Sequence, residues 1–304
     1  MALTSLPQPL RGIITPLLTP LSSSDTLDVA GLRRLLDHVI AGGVHGVFVL
    51  GTSGEGPALS LRLQEDVIGF TCAHVAGRVP VLAGVTGASF ADSIRLSRHA
   101  ANEGADAVVT AGPLYFPVTP EHLQTFVNQF AEASPLPVFL YNMPSHAHVR
   151  FDIDTVFRAA EHPNIAGLKD SAGDIIYLHQ LRRALTRPDF TILVGPEEMM
   201  AECVLLGIHG GVNGGSNLFP KLYVDLYNAA FTGDLETVRK LQAKVIEISA
   251  RIYQVSYGAG YLQGAKCAAN LLGLCQDAFA APYAPLQGEQ RETIRRNLME
   301  LGYL

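Results

Sequence analysis

Short β-branched runs alternate along this chain with amphipathic stretches of helical length, and that alternation leaves few folds open to it. Gly12-Ile13-Ile14-Thr15-Pro16-Leu17 is followed by a stretch from Val29 that sets Leu32, Leu35, Leu36, Val39 and Ile40 on one face of a helix. Runs of the same kind recur at residues 46–50, 79–83, 107–110, 138–141, 165–169, 191–194 and 210–212, with helix-like segments between them, among them 61–75 and 91–103. Pro137 and Pro163 stand just before strands, and glycines close several others, as chain punctuation requires. Strands that each carry a returning helix fit an α/β fold, the (β/α)8 TIM barrel of about 250 residues; a doubly wound sheet is the other arrangement of the same units. The catalytic barrel is expected over residues 1–232. Residues 235–255, 260–272 and 289–301 read as helices with no further strand, which makes 233–304 a carboxyl-terminal helical region.

Composition narrows the class of protein. With 48% hydrophobic and 16% charged residues, the 304-residue chain has ample apolar surface for a large core and reads as soluble and globular. A formal net charge of -6, with no basic cluster longer than Arg182-Arg183 or Arg295-Arg296, gives no electrostatic footprint for nucleic acid and points to a small-molecule partner. Met1 to Leu10 lacks the basic start and apolar core of a secretory signal, and no run of about 18 apolar residues is present, so the expectation is a cytoplasmic protein with no membrane attachment. Cys72, Cys203, Cys267 and Cys275 are scattered without metal-ligand spacing and read as buried thiols.

Lys169 is the residue that composition does not explain. It is the first lysine of the chain, the others being Lys221, Lys240, Lys244 and Lys266, and it ends the apolar run Ile165-Ala166-Gly167-Leu168. Lysine is rarely buried, and an ammonium without a partner in an apolar site tends to give up its proton. The free amine is a nucleophile that condenses with a carbonyl to a Schiff base. The alternative is a lysine that snorkels from the strand end and pairs with Asp170. Lys266, also in apolar surroundings, is expected to snorkel from an appended helix.

If the barrel forms, the carboxyl ends of its strands carry the chemistry. Strand two runs into Gly51-Thr52-Ser53-Gly54-Glu55, a turn whose hydroxyls and backbone N–H groups suit a carboxylate or phosphate. Strand four leads to Tyr115, and strand five ends in Tyr141-Asn142-Met143-Pro144, with the Tyr141 phenol at the height of Lys169 one strand away. Thr52 as a turn stabiliser and Tyr141 as a core tyrosine are the bland alternatives; Glu55 and Asn142 read as structural.

In this order, the turn at Gly51-Thr52-Ser53-Gly54-Glu55, Tyr115, Tyr141-Asn142-Met143-Pro144 and Gly167-Leu168-Lys169-Asp170 resemble the class I pyruvate-dependent lyases, the family of dihydrodipicolinate synthase and N-acetylneuraminate lyase. The resemblance covers nearly the whole chain. It implies a (β/α)8 barrel with a helical carboxyl-terminal region, a homo-oligomer, usually a tetramer, and no metal or organic cofactor. By the same resemblance Lys169 forms the iminium with pyruvate, and Tyr141, Thr52 and Tyr115 relay protons, the last donated by a neighbouring subunit. Thr52 and Ser53 hold the pyruvate carboxylate, and the Val212 carbonyl faces the bound substrate from strand eight.

The departures bear on the second substrate. Where the synthase has an arginine for the carboxylate of aspartate semialdehyde, this chain has His146, which cannot form the bidentate fork of a guanidinium. His146 and His148 either line the acceptor pocket or are ordinary loop histidines. Leu61, Gln64 and Leu114 stand where regulated synthases bind feedback lysine through histidines and a tyrosine. The favoured function is therefore a lyase or aldolase acting on a 2-oxo acid of the keto-deoxy sugar acid type, with the synthase reaction second and a non-catalytic oxo-acid-binding barrel third. The turn Gly210-Gly211-Val212-Asn213-Gly214-Gly215 is richer in glycine than a barrel turn requires.

Overall fold

The computed structural model describes residues 6–254 and 260–304. Among them eight strands close into one parallel barrel: β1 (Gly12–Pro16), β2 (Gly46–Val49), β3 (Val81–Gly84), β4 (Ala107–Thr110), β5 (Val138–Asn142), β6 (Ile165–Asp170), β7 (Thr191–Val194) and β8 (Gly210–Gly211). Each pairs with the next in sequence, and β8 pairs back to β1, which removes the doubly wound alternative. Every strand is followed by helix, and polar caps set where several of these helices begin. The side chains of Ser60, Ser89, Thr119 and Asp174 accept from the N–H groups of Leu63, Asp92, His122 and Tyr177, satisfying donors that a helix start leaves unpaired. A small hairpin, Leu21–Ser23 with Thr26–Leu27, precedes the first helix and was not visible as an apolar run.

Alternation along the strands sorts the apolar residues into two clusters. Ile14, Phe48, Leu82, Val109, Phe139 and Leu193 point into the barrel, while Ile13, Val47, Val81, Val108, Leu140 and Ile192 pack against the helices. Leu6 and Leu10 join the inner cluster, and Leu10 N–H donates to the hydroxyl of Thr191 at the start of β7, so this segment closes the amino-terminal mouth of the barrel.

One irregularity decides where the lysine points. Val138 pairs with Ile165, but Phe139 pairs with Gly167, so β6 contains one residue more than β5 at this level. Ile165 faces outward and Ala166 inward; the extra residue resets the alternation, so that Leu168 faces the helices and Lys169 the barrel axis. Strict alternation from Ile165 would have sent Lys169 outward. Gly167 is required at the bulge, because a Cβ there would lie 2.4 Å from the Thr191 carbonyl oxygen and 2.8 Å from the Phe139 ring.

After the last barrel helix, Pro220–Thr232, come Leu235–Ile248, Gly260–Leu271 and Gly288–Glu300. The first runs into a π turn over Ser249–Tyr253 instead of continuing as one α-helix; Val255, the expected end, lies outside the described residues, as do Met1 to Ser5. Gly264 presses against that turn, where a Cβ would meet the Ile252 carbonyl oxygen at 1.8 Å. All four cysteines are buried, and none is in a disulfide. No described helix is long and apolar enough to cross a membrane.

Lys266 does not snorkel. Its side chain is fully buried, bonded to Glu55 in the turn after β2 and to the Ala278 carbonyl at 2.6 Å, with the Phe279 ring 4.5 Å away. Glu55 completes its bonding by accepting from Ala280 N–H at 2.9 Å. Burial pulls the Lys266 pKa down, against the Glu55 carboxylate, which supports the charged form. Removing one member of a buried pair leaves the other charge uncompensated, so Lys266→Met is expected to destabilise by about 3–5 kcal/mol, and Glu55→Gln in the same chain to recover part of that loss. Thermal and urea unfolding of the parent and the single and double variants measures both; a single-variant effect near zero contradicts the assignment.

Candidate active site

Lys169 and Tyr141 are direct register partners on β6 and β5, and both are buried. The Lys169 Nζ lies 4.0 Å from the centroid of the Tyr141 ring and 5.2 Å from that of Phe48, so two aromatic faces hold the amine. The Tyr141 hydroxyl is 3.0 Å from Oγ1 of Thr52, which arrives from the turn after β2. Burial alone would raise the Tyr141 pKa; the Lys169 charge, followed by hydrogen bonds with Thr52, Lys169 and Ser171, outweighs it and leaves the phenol below its ordinary value. The phenol is thereby better suited to passing protons.

Lys169 and Asp170 point to opposite faces of β6, so the pairing that would make the lysine structural does not form. Asp170 accepts from Asn142 Nδ2 at 2.6 Å, and Asn142 Oδ1 in turn accepts from Phe151 N–H, bracing the ends of β5 and β6 against each other. Burial pushes the Asp170 carboxyl up to about 6, despite the Asn142 bond.

Two cavities meet at Tyr141. One, of about 260 Å³, is lined by Lys169, Thr52, Ser53, Ser171, Glu197 and Val212. The other, of about 320 Å³, is lined by Phe48, Ala111, Leu114, His146 and Ala147; Thr52, Tyr141, Met143, Tyr261 and Leu262 border both. Lys169, Tyr141, Thr52, Ser53 and Val212 are thus brought together as expected. His146 lies beside the second cavity, with Nδ1 3.0 Å from the Ser145 hydroxyl and Nε2 3.4 Å from that of Tyr261. Its pKa is lowered, chiefly by burial, with His148 and Lys169 adding repulsion. His148 closes the short helix Pro144–Ala147 and lines neither cavity.

Tyr115 does not join this group within the chain. It is 89% exposed, stacked edge-on against Phe116, and its φ of +79° is one that a non-glycine residue rarely adopts.

The glycine-rich turn has a physical account. Glu197, buried just after β7, accepts from the Tyr223 hydroxyl at 2.6 Å and from Gly215 N–H at 2.9 Å. A Cβ on Gly215 would lie 1.9 Å from that hydroxyl, so glycine is what lets Tyr223 reach the carboxyl beneath the turn. Asn217 Nδ2 ties the same turn to the Pro16 carbonyl on β1, and Asn213 Nδ2 ties it to Gly195 after β7. Sequence reasoning missed Glu197, Tyr261 and Met143. The strand-end rule that found Tyr141 also marks Pro196-Glu197, since both follow a strand at the same face of the barrel.

An amine held against a phenol that can pass protons is what carbonyl condensation requires, and fold and site together define a class I Schiff-base lyase. The comparisons with known proteins supply the family. A model of the dihydrodipicolinate synthetase family matches residues 9–301, and the chain belongs to that family. It is 32% identical over 294 residues to the 4-hydroxy-tetrahydrodipicolinate synthase of Gluconacetobacter diazotrophicus, covering 97% of this chain and 98% of the relative. Among solved structures, the dihydrodipicolinate synthase of Bacteroides thetaiotaomicron superposes with a TM-score of 0.94 at 50% identity, over 97% of this chain and 99% of the other. YagE, a prophage protein of the same family from E. coli K12 solved in complex with pyruvate, gives 0.91 at 30% identity, over 97% and 99%.

Burial pushes the Glu197 carboxyl up to about 7, although the bonds from Tyr223 and Gly215 pull the other way. The native state therefore holds this proton more tightly than the unfolded chain. Its stabilising contribution is complete below the unfolded value and is lost as pH rises toward 7. Glu197→Gln removes that titration, so the Tm of the parent relative to the variant should fall as pH is raised from about 4.5 to about 7.5. Differential scanning fluorimetry across that range checks it; a constant difference rules it out.

Proposed function

We propose that the enzyme forms or cleaves the carbon–carbon bond next to pyruvate in a 4-hydroxy-2-oxo acid whose tail carries no carboxylate, the class to which keto-deoxy sugar acids belong. The observation that carries this reading is the buried Lys169 amine facing Tyr141, with Thr52 bonded to the phenol and Ser53 and Val212 on the same cavity. In the synthetic direction, Lys169 Nζ adds to C2 of pyruvate. The former carbonyl oxygen leaves as water after protonation through Tyr141, giving the iminium. Transfer of a methyl proton to the Tyr141 oxygen makes the enamine and restores the phenol; the enamine carbon then attacks the aldehyde carbon while the aldehyde oxygen takes that proton from Tyr141. Water then adds to the new iminium, releasing the 4-hydroxy-2-oxo acid and restoring the amine. Thr52 and Ser53 hold the pyruvate carboxylate, and the Val212 backbone faces the bound substrate from the end of β8.

In this reading the protein is a cytoplasmic homo-oligomer, and residues 1–232 are its catalytic barrel, backed by 233–304. Tyr115 serves the proton relay of a neighbouring copy, which gives a reason for an exposed phenol held in a strained conformation. The synthase reaction is the second reading, favoured by the names of the Gluconacetobacter and Bacteroides relatives. Against it stands His146, which offers no fork for the semialdehyde carboxylate.

Pyruvate with borohydride is expected to add a stable mass to the protein, located on Lys169 by peptide mapping and abolished in Lys169→Ala. Modification at Lys266, or none, ends both the lyase and the synthase readings and leaves a barrel that only binds oxo acids. Tyr141→Phe keeps the ring and should lower kcat by about 10²-fold or more while the fold survives; an unchanged kcat would return Tyr141 to a packing role.

A further inference from the structure

The second cavity carries more information about the tail of the substrate than the absence of an arginine does. Among the described residues that line it there is no lysine or arginine, and its one formal charge, Glu55, has both oxygens occupied, one by Lys266 and the other by Ala280 N–H. Apart from the exposed Tyr283, the remaining polar side chains are largely engaged with the protein itself. Tyr141 bonds Thr52, His146 bonds Ser145 and Tyr261, and Thr86 accepts from Ala111 N–H. Between them lie Phe48, Leu114, Ala147 and Leu262, so the surface offered to a tail is mainly hydrocarbon. A hydroxylated tail would exchange its water partners for few new ones, and a carboxylate would be buried beside Glu55 with no counter-ion.

We propose that this cavity receives the tail of the aldehyde partner and is built for an apolar one, alkyl or aryl, instead of the polyol of a sugar acid. The inference rests on the pyruvate-dependent reaction set out above. Because the two cavities share the wall that carries the Tyr141 hydroxyl, an adduct on Lys169 extends past that hydroxyl into the second space as the new bond forms. The aldehyde carbon accepts the enamine electron pair, its oxygen takes the Tyr141 proton, and the apolar group stays clear of both. Room is sufficient: an apolar cavity of about 150 Å³ already holds benzene, and this one is about 320 Å³.

The test compares butanal and benzaldehyde with glyceraldehyde and aspartate semialdehyde, each with saturating pyruvate, following pyruvate loss and product mass. The two apolar aldehydes should exceed glyceraldehyde in kcat/KM by about 10-fold or more, the scale of discrimination that an apolar pocket provides. Leu114→Lys places an ammonium at a partly exposed point on the cavity wall, where the fold tolerates it, and should lower the ratio of butanal to aspartate semialdehyde by about 10-fold. Equal or better turnover of glyceraldehyde, or a ratio that Leu114→Lys leaves unmoved, overturns the apolar tail site while borohydride trapping on Lys169 still stands. Loss of trapping in the parent protein overturns the reaction and this inference together.

Discussion

A single extra residue in β6 governs the chemistry available to this barrel. Strands in a closed parallel barrel show alternate side chains to the axis and to the helices, and a lysine five positions into β6 inherits its direction from every residue before it. Because Ala166 and Gly167 both sit where β5 provides one residue, Lys169 turns inward and Asp170 outward. Without that shift the ammonium would face an apolar helix layer, and the Asp170 carboxyl would stand where the amine now meets Tyr141. Gly167 makes the shift sterically possible, and the Asn142–Asp170 bond fixes it at the strand ends.

This constraint is also where sequence reasoning stops. The β/α alternation was legible because hydrophobic periodicity is a local property, and the strand-end position of Lys169 and Tyr141 followed from it. A bulge made of alanine and glycine leaves no hydrophobic trace, so the inward direction of the lysine was inferred from its chemistry and not from its phase. Lys266 shows the opposite failure. An apolar helix carrying one lysine reads as a snorkelling side chain, because its partner Glu55 lies 211 positions away. Glu197 was hidden differently, since two adjacent glutamates after a strand look like a solvated turn, although Tyr223 and Gly215 bury one of them.

The site is stitched from pieces that are each slightly unfavourable alone. Leu50 and Glu55, which bracket Thr52 and Ser53, both have left-handed backbone conformations, and Gly56 and Gly84 pass so close to the Leu50 carbonyl that a Cβ would lie 2.0 and 2.4 Å from it. Such a turn holds its shape because its surroundings over-determine it. Gln64 donates to the carbonyls of Gly56 and Leu59, Thr19 donates to that of Gly54, and the Lys266–Glu55 pair locks the end of the turn.

That pair also fixes a helix. Lys266 stands four residues after Leu262 and five after Tyr261, so all three lie within adjacent turns of Gly260–Leu271. Anchoring Lys266 in the turn after β2 sets the height and rotation of the helix, and with them the place at which Tyr261 and Leu262 border both cavities. Lys169 belongs to the barrel, whereas part of the wall of both cavities belongs to a helix from the carboxyl-terminal segment. With the anchor and Gly264 retained, a lineage can exchange the residues one turn away and so change which molecules enter, while the carbon-bond chemistry passes on unaltered.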